Sequence, residues 1–221
     1  MDIEQARFNM VEQQIRTWEV LDQSVLDLLL AVKREDFVPT AYRALAFVDM
    51  EIPLGEGQTM MAPKLEARLI QDLALKAHER VLEIGTGSGY LTALLAKRTA
   101  KVASIEYFES LATSAAARIA VAGIDNVEIT VGDAAQSPAN FVDATQTFDV
   151  IVFTGSLPVL PTVYLNHLAV GGRLFAVVGD APAMKATLFT KTRENTTTEQ
   201  ALFETVLPPL INAEQPSRFT F

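Results

Sequence analysis

Apolar positions along the chain follow two regimes that change near Arg80. Before it they recur at helical spacing. Ile3, Phe8, Met10, Val11 and Ile15 mark a helix between Asp2 and Arg16, and Val25, Leu28, Leu29 and Leu30 mark a second from Ser24 to Val32, with Ser24 as its N-cap. Pro39 breaks this pattern. Residues 50–63, with Pro53, Gly55, Gly57 and Pro63, read as loop, and a third helix is predicted from Lys64 to about Leu75. From Arg80 short apolar runs alternate with helical stretches. The runs Arg80–Ile84, Val102–Glu106, Val127–Val131, Phe148–Phe153 and Arg173–Val178 are strand candidates, and Tyr90–Lys97 and Ser110–Ala122 are helix candidates, the second stopped by Gly123. Beyond Asp180, Met184–Lys191 and Gln200–Val206 read as two antiparallel strands joined by a polar loop, Thr192–Glu199. The prediction is an α/β fold, a doubly wound, mostly parallel seven-stranded sheet, with an N-terminal helical extension and a C-terminal antiparallel hairpin. One domain is expected over 1–221: an extension to 63 on the substrate side, a cofactor-binding core over 64–180, and the hairpin from 181.

Composition narrows the function classes. The chain has 221 residues and a net charge of −9. That balance disfavours non-specific nucleic-acid binding, which needs a basic face to release counterions. Without cysteine, disulfides, thiolate nucleophiles and cysteine-ligated metals are excluded. With only His78 and His167, no metal site is expected, and both histidines read as structural. Trp18 and the N-terminal aromatics read as packing. The opening residues lack the pattern of a signal peptide, and no apolar stretch reaches the length of a membrane span. A cytoplasmic monomer or homodimer is the expectation.

The chemistry concentrates in Val81-Leu82-Glu83-Ile84-Gly85-Thr86-Gly87-Ser88-Gly89-Tyr90. A buried strand, an acid, a glycine-rich turn and a helix start suit a nucleoside-bearing cofactor at the carboxyl end of a strand. Tyr90 stands where the dinucleotide fingerprint requires its third glycine. Glu83, just before the turn, favours a cationic ligand over a pyrophosphate, which points to S-adenosylmethionine. Glu83 is expected to reach the ligand's ammonium through a water or a backbone donor. Glu106, at the end of the second strand, lies about 20 residues beyond the turn, where an acid accepts from ribose hydroxyls. Asp133 after the third strand is placed beside the adenine, and Thr154-Gly155-Ser156 after the fourth line the floor of the crevice.

Together these segments resemble class I S-adenosylmethionine-dependent methyltransferases of Rossmann-like fold. Met10–Arg16, Phe37-Val38-Pro39, Ala41-Tyr42-Arg43, Gly57-Gln58-Thr59 and Ala62-Pro63 narrow the resemblance to protein-L-isoaspartate (D-aspartate) O-methyltransferases. Phe148–Val152 and Leu168–Leu174 match later strands of that family. The resemblance, over about residues 8–180, implies methyl transfer to a carboxylate of isoaspartyl residues in damaged proteins, with S-adenosyl-L-homocysteine as product. The implied cofactor residues are Gln58, Thr59, Glu83, Gly85, Thr86, Gly87, Ser88, Gly89, Tyr90, Leu91, Glu106, Tyr107, Asp133, Ala134 and Thr154.

The acceptor side departs from the family. Its catalytic serine follows the Gly-Gln-Thr segment, and here Met61 holds that position, with Lys64 in place of an aromatic or histidine. The catalytic positions are therefore Thr59 and Met61. The segment Leu202–Pro208 is a poor match to the family's substrate-holding C-terminal stretch. A carboxylate is already an anion at neutral pH and needs no general base; it needs orientation and exclusion of water. A thioether cannot donate the hydrogen bond a serine would. Its loss is worth about 1.5–3 kcal/mol, roughly ten- to a hundredfold in rate, unless Thr59 or a backbone N–H compensates. Met60 and Met61 form an apolar, adaptable wall. The alternative is a protein that keeps S-adenosylmethionine but uses a different, unidentified small acceptor or has no transferase activity.

Overall fold

A computed structural model describes residues 2–216. A seven-stranded sheet runs in the order β5-β4-β3-β6-β7-β8-β9. Its strands are β3 (Arg80–Ile84), β4 (Lys101–Glu106), β5 (Val127–Val131), β6 (Phe148–Leu157), β7 (Leu168–Val178), β8 (Lys185–Arg193) and β9 (Thr196–Glu204). All neighbours pair in parallel except β8, antiparallel to both β7 and β9. The predicted hairpin is therefore present, but the expected polar loop mostly pairs. Thr196, Thr197 and Thr198 join β9, because β-branched side chains suit a pleated ribbon.

The central strands are buried on both faces, so they read as apolar runs without alternation. Their two faces feed different clusters. Val81, Val102, Val150 and Phe175 pack towards α3 (Pro63–Leu73), α4 (Tyr90–Arg98) and the N-terminal extension. Leu82, Ile84, Ile151 and Leu174 pack the other way. That second face is covered by the four-residue α6 (Val163–Asn166) and by Ala134, Val142 and Ala213 from connecting segments. Beside α4 lies α5 (Glu109–Val121). His167 caps α6, with Nδ1 2.9 Å from the Gln146 carbonyl, the structural role expected.

The extension differs from the expectation in three places. The first helix is α-helical only over α1 (Ile3–Asn9), then winds as a π-helix through Met10–Ile15 and as a 3₁₀ turn over Arg16–Trp18. The wider i→i+5 winding lets Met10 and Ile15, five apart, both sink to 0% exposure. Next, α2 (Gln23–Ala31) is capped by Asp22 rather than Ser24. The Asp22 carboxylate accepts from the Ser24 N–H and hydroxyl, so Ser24 is the second helical residue. Finally, the expected loop holds a small hairpin, β1 (Ile52–Gly55) and β2 (Gln58–Met60). Buried Ile52 and Met60 face each other across it, while Gly55 and Gly57 supply the positive φ of its turn. Trp18 remains 47% exposed, with the Lys64 ammonium 4.1 Å from its ring centre and paired with Asp49, so it packs only on one side.

Candidate active site

Strand order reverses between β3 and β6: the chain leaves β3 towards β4 and leaves β6 towards β7. A cleft opens at their carboxyl ends, where open α/β sheets bind ligands. The turn after β3 forms one wall. Gly85, Gly87 and Gly89 have φ of 98°, 54° and 83°. At Gly85 a side chain would also collide with Thr154. The Thr154 hydroxyl donates to the Gly85 carbonyl at 2.7 Å, stitching β6 to the turn across the switch point. At Gly89 a Cβ would lie 3.0 Å from Ala115, so the glycine lets α5 pack against the turn.

Glu106 lines the cleft from the end of β4. Its carboxylate accepts the Gly87 N–H at 2.8 Å and the Phe108 N–H at 3.1 Å, and it is 4% exposed. Two of its roughly four acceptor sites are thus used. Tyr107 beside it is half-exposed and stacks edge-on against Phe108. Asp133 and Ala134 line the cleft after β5. The Asp133 carboxylate accepts from the Ala135 N–H at 3.2 Å and the Asn212 amide at 2.7 Å. Thr154 and Gly155 reach the cleft, whereas Ser156 turns away and donates to the Leu207 carbonyl at 2.8 Å.

Gln58, Thr59 and Met61 close the other side. The Thr59 hydroxyl donates to Glu51 at 3.0 Å, so it is committed rather than free to replace a serine. Met61 is 8% exposed and also lines an adjoining hollow with Thr86, Ser88 and Leu91. Among the described residues lining the cleft there is no Lys or Arg. An anionic acceptor there would meet neutral donors.

Three expected cofactor residues, Glu83, Gly89 and Tyr90, line neither the cleft nor the adjoining hollow; Gly89 faces α5 instead. Glu83 is 0% exposed and does not reach the cleft. With period-two alternation its side chain shares the face of Val81, towards α4. There it accepts from the Thr92 and Ser104 hydroxyls, both at 2.6 Å, and Ser104 bonds in turn to Thr86 of the glycine turn at 2.6 Å. Burial pushes its carboxyl up to about 8 against the pull of these hydroxyls. It braces the turn from beneath. Tyr90 is likewise buried away from the cleft, its ring 5.6 Å from Phe37.

A further wall is Leu207–Ile211, of which the sequence reading touched only Leu207 and Pro208, as a poor match to the family's substrate-holding stretch, and missed Pro209–Ile211. This strap crosses the end of β6 through backbone bonds between Ser156 N–H and the Pro208 carbonyl (2.9 Å) and between Leu210 N–H and the Ser156 carbonyl (3.0 Å). The Pro208-Pro209 pair was its available signal, since it ends a strand and stiffens an extended chain.

Comparison with known proteins bears on the family and the fold. The sequence profile of the family protein-L-isoaspartate(D-aspartate) O-methyltransferase matches residues 5–215. A protein-L-isoaspartate O-methyltransferase of Methanoculleus marisnigri is 40% identical over 173 residues, covering 78% of this chain and 77% of the relative. One of Roseiflexus castenholzii is 38% identical over 211 residues, covering 96% and 94%. A Plasmodium falciparum chain described as a protein-L-isoaspartate O-methyltransferase, solved in complex with S-adenosyl-L-homocysteine, shares the fold at a TM-score of 0.78 and 23% identity, covering 93% of this chain and 98% of that one. Matched over residues 5–215 by the profile and over 96% of its length by a relative, this chain belongs to the protein-L-isoaspartate(D-aspartate) O-methyltransferase family.

Proposed function

We propose that this chain transfers a methyl group from S-adenosyl-L-methionine to a carboxylate of isoaspartyl residues in protein or peptide substrates, with S-adenosyl-L-homocysteine as product. One observation carries the reading: the glycine turn and Gln58, Thr59 and Met61 of the family's Gly57–Pro63 segment line one cleft. The cleft fits the donor. Glu106 and Asp133 each keep free acceptor sites, and the Gly85 and Gly87 backbone lines it. When bound, S-adenosylmethionine supplies an electrophilic methyl on a sulfonium. We assign the ribose hydroxyls to Glu106 and the exocyclic amine of adenine to Asp133, with Thr86 and Ser88 of the turn and Leu91 of α4 along the adjoining hollow. Glu83, Gly89 and Tyr90 are assigned no direct contact.

On the acceptor side the chain orients a carboxylate and keeps water away. Met61 and the strap residues Leu207 and Leu210 provide apolar walls that keep water away, while the Met61 thioether offers the anion no hydrogen bond. Gln58 and backbone N–H groups are the neutral donors. A binding-only protein, or one retargeted to a small acceptor, has no support among the relatives. No helix among the described residues is long and apolar enough to cross a membrane. The cytoplasm, where the methyl donor is available, is the proposed compartment.

The test is radiolabelled methyl transfer to an isoaspartyl peptide, with the aspartyl peptide as control. The wild type should label only the former. Met61→Ser should raise kcat about ten- to a hundredfold, the value of one regained hydrogen bond to a charged group. No label transferred by the wild type defeats the proposal.

A further inference from the structure

Among the described residues, the most deeply buried cation has no role in the chemistry above. Arg34, on the 3₁₀ turn Arg34–Asp36 of the N-terminal extension, is 0% exposed, which is rare for a charged side chain. All parts of its guanidinium are committed. Nε donates to the Ala46 carbonyl at 2.9 Å and Nη2 to the Met61 carbonyl at 2.6 Å, while Nη1 pairs with the buried Glu66 of α3. Its carbon lies 5.1 Å from the ring centre of Tyr90, the first residue of α4 after the glycine turn. One side chain therefore joins the extension, the acceptor-side loop, α3 and the donor-side helix.

Met61 needs such an anchor. The β1–β2 ladder ends at the Ile52–Met60 pair, and α3 begins only at Pro63 with no side-chain cap. The stretch between is irregular backbone, and Arg34 binds the carbonyl at its middle. We propose that Arg34 is a positioning residue for methyl transfer: it fixes Met61, and with it the acceptor wall, relative to the glycine turn that carries the donor. This rests on the reading of residues 58–61 as the acceptor side. The planar fork of arginine suits the task, since it reaches three acceptors in different directions while a lysine offers a single point charge. Displacing a reactant wall by about 1 Å costs on the order of a hundredfold in rate.

The test uses Arg34→Lys in the full chain. The ammonium keeps Glu66 paired but cannot also hold both carbonyls. Expected are a folded protein, S-adenosylhomocysteine affinity by calorimetry within about twofold of wild type, and kcat for the isoaspartyl peptide lowered at least about tenfold. In addition, the ¹³C-methyl resonance of Met61, assigned through Met61→Leu, should shift in the ligand-free protein. Equal kcat with an unmoved Met61 resonance overturns the proposal. So does a parallel loss of product affinity and kcat, which marks a general structural role. Should Arg34→Lys fail to fold, the double variant Arg34→Gln with Glu66→Gln leaves no buried charge unpaired and gives the same readouts. If the wild type fails to methylate the peptide, the functional reading fails, yet the Met61 resonance still decides the role of Arg34.

Discussion

Glu83 sits where three hydroxyl-bearing residues from three elements meet: Thr92 on α4, Ser104 on β4 and Thr86 on the glycine turn. Burial raises its carboxyl from 4.5 to about 8, so the folded protein holds this proton more tightly than the unfolded chain. The sign follows. The group's contribution to stability is full below about pH 4.5 and is lost as pH rises through about 8. Glu83→Gln should keep the hydroxyl bonds and remove that loss. In the ligand-free protein, wild-type stability should fall relative to the variant between those limits, by at most about 5 kcal/mol. Denaturant titrations at several pH values measure this, and parallel curves for the two proteins would refute the buried, protonated carboxyl. At this scale Gly85 and Glu106 were legible, because strand ends and glycine turns fix where backbone and acid must lie. The direction of Glu83 and Tyr90 was not, since a strand residue faces either layer according to its register.

Among elements, the strap Leu207–Ile211 makes the largest addition to what periodicity predicted. It is too short and irregular to carry a period, and its place over the cleft depends on Ser156, about 50 residues away in sequence, through three hydrogen bonds. Ser156→Ala removes only the side-chain bond, worth ~1 kcal/mol or about fivefold in an equilibrium. If the strap closes the product side of the cleft, S-adenosylhomocysteine should dissociate about fivefold faster from the variant in stopped-flow displacement. An unchanged off-rate would show that the strap is only a wall. The β1–β2 hairpin escaped prediction for a similar reason. A four-residue strand holding a proline and a glycine, and a partner of three residues, look like loop until Ile52 and Met60 find a common core.

For the whole molecule, the net charge of −9 acts at long range on a substrate that is itself a charged peptide. An isoaspartyl peptide flanked by lysines should show a higher kcat/KM than one flanked by glutamates at low ionic strength. The gap should shrink near 0.5 M salt, where screening reaches within a few ångströms. A preference indifferent to salt would place the selectivity in local contacts instead. The sequence by itself determined the sheet, the donor-side turn and the family. Buried parallel strands must be apolar, tight turns must be glycine, and both leave marks within a few consecutive residues. Only the tertiary structure decided which side chains face the cleft, that Arg34 binds the Met61 carbonyl, and that the C-terminal strap completes the walls. Those contacts join residues far apart in the chain, and their energies depend on distance and burial, which no local pattern encodes.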